Sequence, residues 1–152
     1  MSLEKLFGPG AARHLDPLRR RAEELGLPFE PQGRLSNTRL ACEAAEFARD
    51  AGKFHDFHRR TLAAYFAEGE DIGDIEVLMR IAEGVGLDGA ALSGALANGT
   101  YADRRRAAEE EARRLGVTGV PTYFFADGPK VVGAQPLEYF RQVVAALAAG
   151  GR

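Results

Sequence analysis

A single cysteine, Cys42, stands in the 152-residue chain. One thiol forms no disulfide within its own chain, cannot act as a Cys-x-x-Cys dithiol and cannot build a multi-cysteine zinc site. A depressed thiol pKa needs a helix N-terminus or a neighbouring cation. Cys42 sits among alanines in the middle of a helical pattern, so it is expected to be a small buried apolar residue, and Arg39 and Arg49 do not change that.

His55 and His58 stand three apart, the spacing at which two imidazoles share a helical face and could begin a metal site. No third ligand accompanies them and His14 is isolated near the N-terminus, so no metal is expected. The acidic run Glu68-Gly-Glu-Asp-Ile-Gly-Asp74 lacks the twelve-residue pattern of a calcium loop and is expected to be a solvated loop ending in a helix cap. Arg19-Arg20-Arg21 and Arg104-Arg105-Arg106 point in different directions around their helices and are followed closely by acids, so they read as solvated faces rather than phosphate sites. Gly84-Val-Gly86 has no preceding strand and no third glycine, and Ser2, Ser36 and Ser93 show no nucleophile elbow. No catalytic residue is assigned. The loop Gly119-Val120-Pro121-Thr122 has two readings, an ordinary trans turn before a strand or a cis-proline turn, which only proline makes accessible at about 0.5–1 kcal/mol.

Helices must carry most of these residues. Leu15, Leu18, Ala22 and Leu25 recur at helical spacing behind Asp16-Pro17, with Gly26 as the stop. Leu27 to Gly33, with its two prolines, predicts an extended loop. Ser36 or Asn37 caps a second helix that presents Leu40, Ala41, Ala44, Phe47 and Ala48 and runs to Asp50. A third carries Phe54, Phe57, His58, Thr61, Leu62, Tyr65 and Phe66 on a broad apolar side, the expected aromatic heart of a bundle, and stops at Gly69. Asp74 caps a fourth helix with Val77, Leu78, Ile81 and Ala82, Asp88 caps a fifth around Leu92 and Leu96, and a sixth runs from about Ala102 to Leu115.

The period then changes. Thr122 to Ala126 is dense in β-formers, Asp127-Gly128-Pro-Lys reads as a turn, and Val131-Val132-Gly133 resumes as a second strand. Pro136 opens a last helix through Tyr139, Phe140, Val143, Val144 and Leu147. The class is mostly α with a small β-hairpin. An isolated hairpin is marginal, and the nearly unbroken apolar run Val120 to Phe125 has the pattern of a strand buried on both faces. Its outer edge is expected to be covered, either by a second copy in a homodimer or by residues this chain lacks.

Length suits one domain at roughly 150 residues each. Twenty basic against 22 acidic residues give net −2, without the basic footprint of a nucleic-acid binder. No apolar stretch approaches the roughly 20 residues that span a bilayer, and the N-terminus lacks a secretory apolar run, so the expectation is a cytoplasmic protein with neither nucleic acid nor membrane as partner.

Four stretches, in order, resemble the DsbA-like thioredoxin-fold family, particularly its FrnE-type and 2-hydroxychromene-2-carboxylate isomerase branches. They are Asn37-Thr-Arg-Leu-Ala-Cys-Glu-Ala-Ala-Glu-Phe-Ala48, Tyr65-Phe-Ala-Glu-Gly-Glu-Asp-Ile-Gly-Asp74, Leu115-Gly-Val-Thr-Gly-Val-Pro-Thr122 and Val132-Gly-Ala-Gln-Pro-Leu-Glu-Tyr-Phe140. The resemblance implies an α/β thioredoxin-like fold with a helical insertion: residues 1–116 as helical lobe and N-terminal arm, residues 117–152 as the C-terminal half of the fold. The family's opening strand, Cys-x-x-Cys helix and second strand have no counterpart ahead of Met1, so the N-terminal βαβ part is expected to be missing and the chain to be redox-inactive. The resemblance further implies that Gly119, Val120, Pro121 and Thr122 form the cis-proline loop, where a thiol or peptide substrate docks on the backbone. No cofactor is expected; in the isomerase alternative the loop would hold glutathione, and a third reading is a non-enzymatic dimeric interaction module.

Overall fold

The computed structural model describes residues 4–5, 8, 15–30, 33–126 and 128–150. In chain order it contains α1 (Asp16–Glu24), α2 (Arg39–Asp50), α3 (Phe54–Phe66), α4 (Ile75–Gly84), α5 (Gly89–Ala97), α6 (Ala102–Arg114), β1 (Thr122–Phe124), β2 (Lys130–Val132) and α7 (Leu137–Gly150). Two compact units divide it, residues 1–105 and 106–152. No helix among the described residues is long and apolar enough to cross a membrane.

In the first unit, α2 to α5 pack on one another around Phe57, Leu78, Ile81 and Leu92, all fully buried. Each such side chain contributes about 1.5–3 kcal/mol of burial. Ala41, Ala44 and Ala48 turn toward this core from α2, and their small size lets the helices approach closely. The Asp74 and Asp88 carboxylates cap α4 and α5 by accepting from the N–H groups of Glu76 (2.9 Å) and Ala91 (3.0 Å). The cap of α2 differs from expectation. Thr38 occupies the position, not Ser36 or Asn37, and Asn37 instead accepts from Arg39 N–H at 3.1 Å, shaping the turn that enters the helix.

The aromatic heart expected in α3 is a narrower stripe. Phe57, Thr61 and Ala64 face inward, at spacings of four and three residues, while Phe66 and Leu62 are 42 % and 43 % exposed and His58 faces solvent. The buried Thr61 hydroxyl donates to Phe57 O at 2.8 Å, so the stripe accommodates a polar group at no loss of pairing.

The acidic loop is likewise more tightly held than expected. Ile72 is buried and draws the loop inward, and Arg60 binds Glu68 through two bonds of 2.8 and 3.0 Å. Arg80 pairs with Glu70 and Arg34 with Asp71. Gly73 lies so close to residue 37 that a Cβ there would stand 3.0 Å from Asn37 O, which explains a glycine at this position.

In the second unit, α6 ends in a glycine turn. Gly116 has φ +66°, its N–H reaches Arg113 O at 3.0 Å, and Val117 N–H reaches Ala112 O at 2.9 Å. The antiparallel hairpin pairs Thr122 with Val132, Tyr123 with Val131 and Phe124 with Lys130. Lys130 therefore begins β2 rather than finishing the turn, and Asp127 of that turn lies outside the described residues. The expectation of a strand buried on both faces is corrected. Tyr123 and Phe124 are 41 % and 51 % exposed, because β1 has one strand neighbour among the described residues and α7 meets it through the Tyr123–Phe140 ring pair, centroids 4.8 Å apart.

Candidate functional site

The loop Gly119–Thr122 links the glycine turn after α6 to β1. Its Val120–Pro121 peptide bond is cis. Two side chains tie the loop's approach and exit. The Thr122 hydroxyl donates to Gly119 O at 2.5 Å, and Lys130 Nζ donates to Gly116 O at 2.8 Å. The carbonyl of Pro121 accepts from Gly133 N–H at 2.7 Å, which extends the hairpin ladder by one bond.

Between these ties Val120 is left outward, with 87 % of its surface exposed. Among the described residues its N–H and C=O have no hydrogen-bond partner. An exposed residue with both of its own backbone groups unpaired is disposed to pair with an extended segment. The four loop residues named from sequence thus lie together. Lys130, which sequence reasoning left in a turn, joins them through a contact fourteen residues away in sequence.

Cys42 lies in the first unit, at the end of the first turn of α2, where its N–H reaches Thr38 O at 2.9 Å. It is exposed rather than buried, correcting the sequence reading. In an alanine-rich helix several faces look equally apolar; here Ala41, Ala44 and Ala48 take the core and rotate Cys42 outward. His55 and His58 are also exposed, and both rings lie against Phe54, His58 nearly parallel at 5.4 Å between centroids. Arg49 covers the same Phe54 ring, 3.9 Å from its centroid. His14 lies outside the described residues. Among those described, no group of three His, Cys, Asp or Glu could hold a metal.

The Arg104-Arg105-Arg106 triplet is not simply a solvated face. Arg105 reaches Glu43 of α2 at 3.0 Å, with side-chain exposures of 18 % and 5 %. Arg104 binds Asp50 through bonds of 2.7 and 3.2 Å, and Tyr101 donates to the same carboxylate at 3.2 Å. The hydrogen bond between Arg104 and Asp50 is the main reason that the Asp50 carboxyl is held below its usual 3.8 and the Arg104 guanidinium above its usual range. Loss of hydration, then Asp50, pushes the Tyr101 phenol above 10.0. Asp71 is also held low, first by the adjoining Ser36 hydroxyl, whose buried Oγ has no partner of full hydrogen-bond geometry, then by Gly73 N–H at 3.0 Å.

A cavity of about 220 Å³ opens in the first unit between Leu15, Leu18, Phe29, Leu35, Tyr65 and Phe66. Its walls are hydrocarbon and aromatic, and the flanking Arg34 and Glu70 are engaged with Asp71 and Arg80.

Comparison with known proteins gives one family. The model of the DSBA-like thioredoxin domain matches residues 11–145. The uncharacterized Bacillus subtilis protein YwbO is 38 % identical over 108 residues, which are 70 % of this chain and 54 % of YwbO. The crystal structure of a probable DsbA oxidoreductase from Streptomyces coelicolor superposes with a TM-score of 0.83 at 31 % identity, covering 99 % of this chain and 66 % of that one. A solved protein from Nitrosomonas europaea shares the fold, with a TM-score of 0.71 at 19 % identity over 93 % of this chain and 74 % of its own. The chain thus spans about half of its curated relative and two-thirds of the Streptomyces structure, and over that span it belongs to the DsbA-like thioredoxin domain family.

Proposed function

We propose that this chain is the substrate-side part of a thiol:disulfide oxidoreductase of FrnE type, in which the Gly119–Thr122 loop takes an extended, thiol- or disulfide-bearing peptide against the backbone of Val120. The observation that carries this reading is the exposed, unpaired Val120 backbone between the tied carbonyls of Gly119 and Pro121. The family's reaction supplies the context. A thiolate attacks one sulfur of a disulfide, a new S–S bond forms as the old one breaks, and the displaced sulfur leaves as a thiolate. A second thiol then resolves the mixed disulfide.

Cys42 is the chain's one thiol and stands on α2, in the first unit. The chain therefore has no dithiol of its own, and we infer that the 152 residues alone dock substrate without turning it over. Two measurements test this. In an insulin-reduction assay the chain should match the uncatalysed rate; turnover that disappears in Cys42→Ser would overturn the reading. Titration with the extended peptide Ala-Leu-Cys-Leu-Ala, its cysteine S-methylated, should shift the Val120 amide resonance, and an unmoved Val120 at millimolar peptide would remove the docking site.

A further inference from the structure

We infer that Lys130 is a positioning residue for the Val120 docking position, acting together with Thr122; this rests on the reading of the loop given above. Lys130 begins β2, opposite Phe124, yet its ammonium crosses to Gly116 O at 2.8 Å. Gly116 is the residue that terminates α6 with φ +66°. Its carbonyl therefore lies at the negative end of a helix dipole, where a cation is favoured. A Cβ added to Gly116 would stand 3.5 Å from Lys130 Nζ, within ordinary contact. One side chain thus fastens the end of α6 to the second strand of the hairpin.

Three residues later the Thr122 hydroxyl takes Gly119 O at 2.5 Å. Gly116 and Gly119 bracket Val117 and Thr118, so the two bonds fix both ends of the approach to Val120. They occupy the Gly116 and Gly119 carbonyls and leave the N–H and C=O of the exposed Val120 open to an extended segment. Release of either tie leaves the docking position present but free to wander, which lowers affinity without removing any contact atom.

The test compares four variants of the 152-residue chain with the parent in titrations with the S-methylated peptide, read at the Val120 amide. Lys130→Met and Thr122→Val should each weaken binding about fivefold, while Lys130→Arg and Thr122→Ser, which keep the donors, should stay within about twofold. Amide exchange of Val117 to Val120 should quicken in the first two variants and not in the conservative ones. A merely structural role would lower thermal stability alike but leave the affinity of the folded protein unchanged. Parent-like affinity in Lys130→Met overturns the positioning role while leaving the docking site standing. No binding by the parent chain overturns the docking site itself, and the positioning role with it.

Discussion

Arg105 of α6 meets Glu43 of α2 at 3.0 Å, and the carboxylate it meets is 5 % exposed in its side chain. A carboxylate so buried is held in the fold by its partner. Removing one member of such a pair costs about 3–5 kcal/mol, whereas replacing both by hydrocarbon of similar volume is often neutral. Arg105→Met should therefore lower unfolding stability by roughly 3 kcal/mol, because it strands the buried Glu43 carboxylate, Glu43→Ala by less, because the Arg105 left behind keeps 18 % of its side chain in solvent, and Glu43→Leu with Arg105→Met by less than the sum. Urea titrations of the three variants check this; additive losses would show that the pair does not couple.

The Asp50 carboxyl is depressed by Arg104, so its stabilisation is present above the unfolded value near 3.8 and is lost as pH falls through the lower, folded value. Asp71 acts in the same direction. Tyr101 has the opposite sign: its raised phenol favours the folded state below about 10, and that contribution is lost as pH climbs above it. Thermal melts should hold a plateau from about pH 5 to 9 and decline on both sides. Asp50→Asn should flatten part of the acid limb, and an unchanged acid limb would remove Asp50 from the account.

Cys42 is exposed, so native protein should react with iodoacetamide at the rate of an ordinary accessible thiol, without prior unfolding. Cys42→Ser should change stability by no more than about 0.5 kcal/mol. Labelling that appears only in denaturant would place the thiol inside after all.

β1 offers Phe124, 51 % exposed, along a strand with one strand partner among the described residues. Unpaired apolar strands invite association, and a charge on the edge opposes it. Light scattering should show self-association rising with concentration, reduced in Phe124→Lys. A monomer at every concentration would argue against strand-edge pairing.

Local chemistry was readable from sequence wherever one residue decides the outcome. Asp74 and Asp88 cap their helices because a carboxylate before an apolar run has an orphan N–H within reach, whatever the tertiary fold does. Facing was not readable in α2, where Cys42 lies among alanines that look alike in any direction until other helices choose Ala41, Ala44 and Ala48. Long-range pairing was hidden for a different reason. Arg105 finds Glu43 across 62 residues, a separation that no local spacing rule covers. The Gly119–Thr122 loop was legible through the four blocks that carry the family resemblance, but Lys130 acts through space on a carbonyl fourteen residues away, and nothing in the sequence pattern announced it.

Val131 is the one buried side chain among the described residues from 106 to 150. A single buried valine supplies about 1.5–3 kcal/mol, far below what ordering that length of chain costs by itself. The four helices around Phe57 and Leu78 should melt as one cooperative body, while the hairpin and α7 should open in partial excursions well before it. A trace of protease under native conditions would then nick the chain beyond Arg114 first and spare the lobe, leaving a trimmed, still-folded helical fragment as the record of where cohesion ends.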